Sequence, residues 1–182
     1  ADVVLIPGSK ATLSDLAALR AEGWDIDILA HHRRGGVVVG LCGGYQMLGR
    51  TVADPDGVEG AAAAATATAT VPGLGLLEVD TVIGAAKTLR PAAGRDTVFD
   101  QGITGYEMHM GETTGAGLAR PWLTLADGLF AADDFRAAFL SALRAGDYAA
   151  ASHAARVEET LDALAKHLET HLDMDGLDTA FA

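Results

Sequence analysis

The sequence has little of several things that would each point to a particular class of protein. Only one of its 182 residues is cysteine, and aromatic residues make up 5%. A single cysteine cannot form an internal disulfide, which argues against a disulfide-stabilised secreted fold and favours a reducing, cytoplasmic setting. The N-terminus has neither the basic start nor the length of a secretory signal. No apolar run approaches the roughly 18 residues that a helix needs to cross a bilayer, so we expect no membrane partner.

Positive charge is also scarce. Thirteen lysines and arginines stand against 25 acids, which leaves a net charge of −12, and the segment from Gly146 to the end supplies half of it. Binding to nucleic acid requires a basic surface that neutralises phosphates. The charge balance therefore argues against nucleic acid as a partner.

Apolar runs alternate with a helical pattern along the first part of the chain. Residues 2–8 read DVVLIPG and residues 37–42 read VVVGLC, two short runs typical of buried strands. Between them apolar residues recur at helical spacing, with Thr12 or Ser14 as a cap and Gly23 as a stop. Strand, helix and strand at this spacing predict a right-handed βαβ unit and an α/β fold with a mostly parallel sheet.

The length fits one domain over residues 1–182. Residues 61–70 form an uncharged stretch of alanine and threonine, to which we assign no secondary structure. Further on, Val157, Leu161, Leu164, Leu168 and Leu172 recur at helical spacing. They predict a C-terminal amphipathic helix over about residues 152–172 whose apolar stripe faces the body of the protein.

The one cysteine stands in an unusual place. Residues 40–44 read GLCGG, the cysteine version of the G-x-S-x-G elbow, in which glycines permit a sharp strand-to-helix turn and expose the nucleophile. The N-terminal end of the following helix favours the thiolate and is expected to lower the pKa of the thiol. A lone cysteine is more often a small buried hydrophobe. In this context we predict that Cys42 is a nucleophile.

A nucleophile that attacks an amide also needs donors for the oxyanion that forms. The N–H of Gly43, directly after Cys42, is one candidate. Gly8 and Ser9 follow the first strand, so they reach the same edge of the sheet as Cys42 if the two strands are close neighbours. The alternative is that residues 7–10, PGSK, are only a strand-to-helix turn.

Four blocks of the sequence together point to a family. They read LIPGSKATLSDLAALRAEGWD, AHHRRGGVVVGLCGGYQMLGRTVADPDGVEG, VPGLGLLEVDT and GYEMHMGETTG. These blocks resemble the glutamine amidotransferase domain of cobyric acid synthase, the CobQ family, over most of residues 1–145. The resemblance implies a class I, triad-type glutaminase fold, a flavodoxin-like arrangement of three layers. In that family the domain hydrolyses glutamine and passes ammonia to an ATP-dependent synthetase domain, which amidates corrinoid carboxylates in cobalamin biosynthesis.

The resemblance also implies roles for individual residues. Cys42 would form a glutamyl thioester, the backbone of Gly8 or Ser9 would form the oxyanion hole with Gly43, and Gln46 would help to shape the glutamine pocket. No cofactor is expected in this domain, because ATP and magnesium belong to the synthetase domain. We expect that domain to be absent from this chain, which has no nucleotide-binding motif. The implied partners are glutamine, the synthetase domain and the corrinoid that the latter binds.

One part of the family's pattern is missing. The family's general base is a histidine in a segment of the form Thr-Tyr-x-His-Gly, followed by Leu-Phe and a helix. Residues 123–130 read LTLADGLF, so Asp127 stands where the histidine would be, or a stretch that includes it has been removed. Turnover is expected to fall by roughly 10²–10⁴-fold without this base. His109, two residues after Glu107, is either a replacement base or part of a structural network with Tyr106.

The other histidines predict no metal site. His31 and His32 precede two arginines at the end of a predicted helix, where a solvated polar cap is expected and further metal ligands are missing. His167 and His171 lie four residues apart on the C-terminal helix without a neighbouring acid–base motif.

Three functions stay open from the sequence. The first is a glutaminase domain of cobyric acid synthesis. The second is a related amidotransferase that serves cobyrinic acid or lipid-linked peptidoglycan precursors, although the PGSKAT and GYEMHMG blocks favour the first. The third is a catalytically silent domain that has kept its fold and lost its base.

Overall fold

The computed structural model describes residues 1–59, 70–96, 98–119, 126–146, 148 and 152–172. Apart from Thr70, the alanine- and threonine-rich stretch lies outside these residues. In the described part the chain forms seven strands, β1 Val3–Ile6, β2 Val37–Gly40, β3 Thr51–Ala53, β4 Val71–Pro72, β5 Asp80–Arg95, β6 Gly102–Thr114 and β7 Ala126–Asp127. Its α-helices are α1 Thr12–Ala21, α2 Trp24–Arg33, α3 Gly43–Leu48, α4 Asp133–Leu143 and α5 His153–His171.

The predicted βαβ unit is present at the start of the chain. Strands β1 and β2 pair in parallel, with Val3 opposite Val37 and Ile6 opposite Gly40, and α1 and α2 connect them. Both faces of this pair pack against helices, which explains the apolar runs of the two strands, although Leu5 of β1 is 48% exposed. One face packs on α1, α2 and α3, and the other packs on α4. The result is the expected arrangement of helices on both sides of a sheet.

The second sheet has the order β4-β3-β5-β6-β7. Strand β3 pairs with β5 in parallel, whereas the other three pairs are antiparallel. The α/β class is therefore confirmed, but the strand pairing is mixed rather than mostly parallel. The reason is the short connection between β5 and β6, because a connection of a few residues can join only antiparallel strands. Buried Asp96 holds this connection by accepting hydrogen bonds from the N–H groups of Val98, Phe99 and Gln101.

The block GLGLLEVDTVI forms a strand only from Asp80 onward. The segment before it closes the end of α3, because the N–H groups of Leu74 and Leu76 donate to the carbonyl groups of Met47 and Leu48 at 2.8 and 2.9 Å. A helix leaves its last carbonyls without partners, and this segment supplies them.

The histidine pair at the end of α2 divides between core and solvent. His31 is buried, and its Nε2 lies 3.1 Å from the carbonyl oxygen of Val37, while His32 is exposed. The expectation of a solvated cap is therefore wrong for His31, which ties α2 to the start of β2.

Helix α5 carries the expected apolar stripe, but the stripe does not pack on the described part of the body. Val157, Leu161, Leu164, Leu168 and Leu172 are between 40% and 52% exposed. The expectation that the stripe faces the body is wrong here, because a periodic pattern specifies a helix and its apolar face without specifying what covers that face. Across the described residues, no helix combines the length and apolar content that a membrane span requires.

Candidate active site

The turn from β2 into α3 places Cys42 in a strained conformation. Its φ is 50° and its ψ is −115°, and Asp100 is the one other non-glycine residue with positive φ in the described part of the chain. Such conformations cost about 1–3 kcal/mol and persist only where the surrounding structure enforces them. The N–H of Gly44 donates to the carbonyl of Leu41 at 2.8 Å and closes the turn. The local geometry is that of the elbow that residues 40–44 predict.

Glycines at the elbow let three backbone segments approach one another. A Cβ atom on Gly44 would overlap the carbonyl oxygen of Ile6 and lie 2.7 Å from that of Pro7. A Cβ on Gly40 would lie 2.7 Å from the carbonyl oxygen of Gly44. No larger residue fits these positions without movement of the backbone, so the elbow depends on its glycines.

The loop after β1 lies directly against the elbow. A Cβ on Gly8 would be 3.3 Å from the Cβ of Cys42 and 3.9 Å from its Sγ. A Cβ on Gly43 would be 2.8 Å from the backbone nitrogen of Ser9. Among the described residues, the N–H groups of Ser9 and Gly43 donate no hydrogen bond. The structure therefore brings Gly8, Ser9 and Gly43 together around the thiol, with two backbone donors left for a ligand.

The side chain of Ser9 stabilises this loop. Its Oγ accepts a hydrogen bond from the N–H of Ala11 at 2.9 Å and donates one to the carboxylate of Asp15. The hydroxyl thus ties the loop to α1, whereas the backbone N–H of Ser9 donates no hydrogen bond among the described residues.

The thiol of Cys42 contacts strand β6. It is half-buried, and its Sγ lies 3.4 Å from the carbonyl oxygen of Met108. The next residue is His109, whose Nδ1 lies 3.2 Å from the carbonyl oxygen of Gly111. Because a carbonyl only accepts, Nδ1 carries the proton, and the acceptor of a neutral ring is then Nε2. The structure thus places His109 on the strand beside the thiol and leaves its role as a base a prediction.

Gln46 lies one turn into α3 and is 4% exposed. Its Nε2 lies 3.4 Å from the carbonyl oxygen of Met110, and its Oε1 lies 3.4 Å from the hydroxyl of Thr12. The side chain is therefore held between β6 and the start of α1, where it forms part of the wall around the elbow.

The model of the CobB/CobQ-like glutamine amidotransferase domain matches residues 1–138 of this chain. The chain belongs to this family. Among similar proteins, the cobyric acid synthases of Ruegeria sp. (strain TM1040) and Cereibacter sphaeroides are each 51% identical over 195 aligned residues, which include 97% of this chain and 39% of each relative. The cobyric acid synthase of Bradyrhizobium diazoefficiens is also 51% identical, over 96% of this chain and 39% of its own length. The chain spans about 39% of the length of these relatives.

The alignment with these relatives is longer than the chain itself. It spans 195 positions, whereas the chain has 182 residues. The relatives therefore contain residues that have no counterpart here.

Sequence reasoning missed one carboxylate of this amidotransferase domain. Glu59 accepts a hydrogen bond from the hydroxyl of Thr12 at 2.8 Å and another from the N–H of Leu13 at 3.3 Å. It thus performs the capping that Thr12 or Ser14 was expected to perform, since α1 has no side-chain cap of its own. No spacing rule points to Glu59, because 46 residues separate it from Leu13.

A cavity lies beside the amidotransferase elbow rather than over it. It has a volume of about 650 Å³ and extends along β1, α1 and α2. Gly8 and Ser9 line one end of it, while Cys42 does not. Among the described residues, no three histidine, cysteine or acidic side chains are grouped so as to hold a metal ion.

Tyr45 of the amidotransferase elbow has a buried hydroxyl. The residue is 1% exposed, and among the described residues its Oη has no hydrogen-bond partner. Burial raises the pKa of this phenol above its ordinary value, so it is neutral near pH 7. An unpaired buried hydroxyl costs about 1–3 kcal/mol.

We expect Tyr45→Phe to raise the free energy of unfolding by about 1 kcal/mol, since it removes the unpaired hydroxyl and keeps the ring. For a chain of this size, that corresponds to an increase of about 2–4 °C in Tm. Chemical denaturation measures the effect, with Tyr106→Phe on an exposed tyrosine as the matched control. Lower stability of Tyr45→Phe would show that the hydroxyl has a partner in the folded protein.

Proposed function

We propose that this chain is the glutamine-hydrolysing part of a cobyric acid synthase. It supplies ammonia to an ATP-dependent synthetase domain, which amidates corrinoid carboxylates. Membership of the CobB/CobQ-like amidotransferase family and 51% identity to proteins named cobyric acid synthase support this function. The observation that carries it is the strained Cys42, flanked by the N–H groups of Ser9 and Gly43, which donate no hydrogen bond within the described part of the chain.

The reaction begins when the sulfur of Cys42 attacks the side-chain amide carbon of glutamine. A carbon–sulfur bond forms, and the amide oxygen becomes an oxyanion that accepts hydrogen bonds from Ser9 and Gly43. The carbon–nitrogen bond then breaks, and the nitrogen takes up a proton and leaves as ammonia. Water hydrolyses the resulting thioester, which releases glutamate and restores the thiol.

The limiting step is proton transfer. The thiol must lose the proton that faces the carbonyl of Met108, and the departing nitrogen must gain one. The histidine that serves this purpose in the family has no evident counterpart around Asp127. The alignment of 195 positions shows that the relatives contain residues without a counterpart here, and we propose that the segment with this histidine is among them. We therefore propose that turnover by this chain is reduced by roughly 10²–10⁴-fold.

A second function has an observation in its favour. The sequence contains no segment of the form Thr-Tyr-x-His-Gly, which favours a catalytically silent domain that keeps its fold and its elbow. Such a domain still carries a reachable thiol, so the two functions differ in turnover and not in binding of glutamine. His109, on the strand beside the thiol, is the residue whose action as a base would restore turnover.

The proposal predicts selective modification of Cys42 by a glutamine-analogue chloroketone. Mass spectrometry of the treated protein is expected to show one adduct, on the peptide that contains Cys42. Glutamine is expected to slow the modification and asparagine to leave it unchanged, because the pocket recognises the length of the side chain.

Three results decide between the functions. Modification that glutamine does not slow would contradict the proposed function. Modification without glutamate release would support the silent domain. Glutamate release at a rate ordinary for a glutaminase would contradict the reduced turnover and assign the base to His109, which His109→Gln then tests.

A further inference from the structure

We infer that Glu59 is a positioning residue for the oxyanion donors, acting through the hydroxyl of Thr12. This inference rests on the proposed function, because it assigns a task within the same site. Glu59 lies outside the elbow and outside the loop after β1. Its side chain accepts hydrogen bonds from Thr12 and Leu13, so we expect its effect to pass through Thr12, which lies against the elbow.

Glu59 holds the first turn of α1 with both carboxylate oxygens. One oxygen accepts from the hydroxyl of Thr12 at 2.8 Å, and the other accepts from the N–H of Leu13 at 3.3 Å. Hydrogen bonds to a charged acceptor are about twice as strong as neutral ones. The N-terminal end of α1 adds a favourable interaction with negative charge. Glu59 is thus suited to fix the position of the first turn of α1. The loop after β1, which contains Ser9, immediately precedes this turn.

The carboxylate is itself held in place. Asp54 is 4% exposed and accepts hydrogen bonds from the N–H groups of Val58 and Glu59 at 2.8 and 3.0 Å. These bonds close the turn that follows β3 and fix the backbone from which the Glu59 side chain projects. The backbone of this turn is therefore held in place by hydrogen bonds to Asp54.

Thr12 connects this turn to the elbow. It is 1% exposed, and its hydroxyl oxygen lies 3.2 Å from the position that a Cβ on Gly43 would occupy. The backbone nitrogen of Ser9 lies 2.8 Å from the same position. Thr12 and Ser9 therefore enclose Gly43 together, and a shift of Thr12 changes the space between the two oxyanion donors.

The hydroxyl of Thr12 has one proton and two candidate acceptors. The carboxylate of Glu59 lies at 2.8 Å and the amide oxygen of Gln46 at 3.4 Å. The hydroxyl therefore donates its hydrogen bond to Glu59, which is closer and charged. Without Glu59, the hydroxyl is free to turn toward Gln46 in the wall of the predicted glutamine pocket. Loss of Glu59 is therefore expected to disturb both the donors and this wall.

The test compares two reagents that modify the same thiol. A glutamine-analogue chloroketone forms an oxyanion as Cys42 attacks it, whereas iodoacetamide reacts by direct displacement and forms none. We expect Glu59→Ala and Thr12→Val to slow the chloroketone by about 10- to 100-fold, somewhat less than removal of an oxyanion donor costs. Iodoacetamide is expected to react with all variants within about twofold, since the thiol stays exposed to the same degree.

Conservative variants and a matched control separate positioning from folding. Thr12→Ser keeps the hydroxyl and is expected to restore the chloroketone rate that Thr12→Val loses. Asp56→Asn removes a charge from the same turn at an exposed position and is expected to leave both rates unchanged. Circular dichroism shows which variants are folded, and Glu59→Gln, which keeps one acceptor, replaces Glu59→Ala if the latter is unfolded.

The outcomes also separate this inference from the proposed function. If the wild-type chloroketone reaction is not slowed by glutamine, the proposed function fails and the inference fails with it. If the wild type reacts selectively but Glu59 and Thr12 variants slow both reagents equally, or neither, the inference alone is overturned.

Discussion

Replacement of Cys42 by alanine is expected to abolish both modification by the chloroketone and any release of glutamate. The loss is complete rather than partial because the chain has no second cysteine that could supply a thiolate. Removal of a nucleophile typically returns an enzyme to the residual rate that binding and oxyanion donors provide alone, a loss of roughly 10⁶-fold in well-studied hydrolases. The measurements are the intact mass after treatment and glutamate formed over hours.

The fold of this variant is expected to persist, which makes it a clean control. Cys42 is half-buried, and alanine lacks only the sulfur that contacts the carbonyl of Met108. Cys42→Ser also tests whether the thiol is the nucleophile. A hydroxyl fills the same space as the thiol, but without a base it is a much weaker nucleophile. A chloroketone adduct on the alanine variant would place the reactive group elsewhere in the chain and contradict the assignment of Cys42.

The elbow could be predicted from the sequence because every part of it is local. The apolar run before Cys42, the glycines around it and the helical pattern after it together specify a strand, a turn and a helix. The position of Gly8 and Ser9 followed from one tertiary rule, that parallel strands place their C-terminal ends at one edge of a sheet. Both steps needed only residues 1–50.

The support beneath the elbow could not be predicted in this way. Glu59 meets Thr12 only because the turn after β3 folds back onto the start of α1, and 47 residues separate the two side chains. No periodicity connects them. The same limit explains the mixed sheet, since the pairing of β5 with β6 depends on a connection whose tightness comes from the hydrogen bonds of Asp96.

The largest expected effect on stability belongs to Gly44→Ala. A Cβ at this position would overlap the carbonyl oxygen of Ile6 and lie 2.7 Å from that of Pro7. The carbonyl of Ile6 already accepts from the N–H of Leu41 at 3.0 Å, so it cannot move aside without breaking the bond that joins β1 to the elbow. We expect a loss of about 4 kcal/mol or more in the free energy of unfolding, which is a large part of the total for a domain.

Chemical denaturation against a matched glycine isolates this cause. A Cβ on Gly102 would have no atom within 4 Å, and its φ is not positive, so Gly102→Ala is expected to change stability by less than about 0.5 kcal/mol. Both variants add the same methyl group, but backbone already fills the space at Gly44 and leaves it open at Gly102. If Gly44→Ala proved as stable as Gly102→Ala, β1 and α3 would not approach as closely as described. The cleft between Ser9 and Gly43, and with it the proposed oxyanion site, would then lose its structural basis, because that approach places both N–H groups.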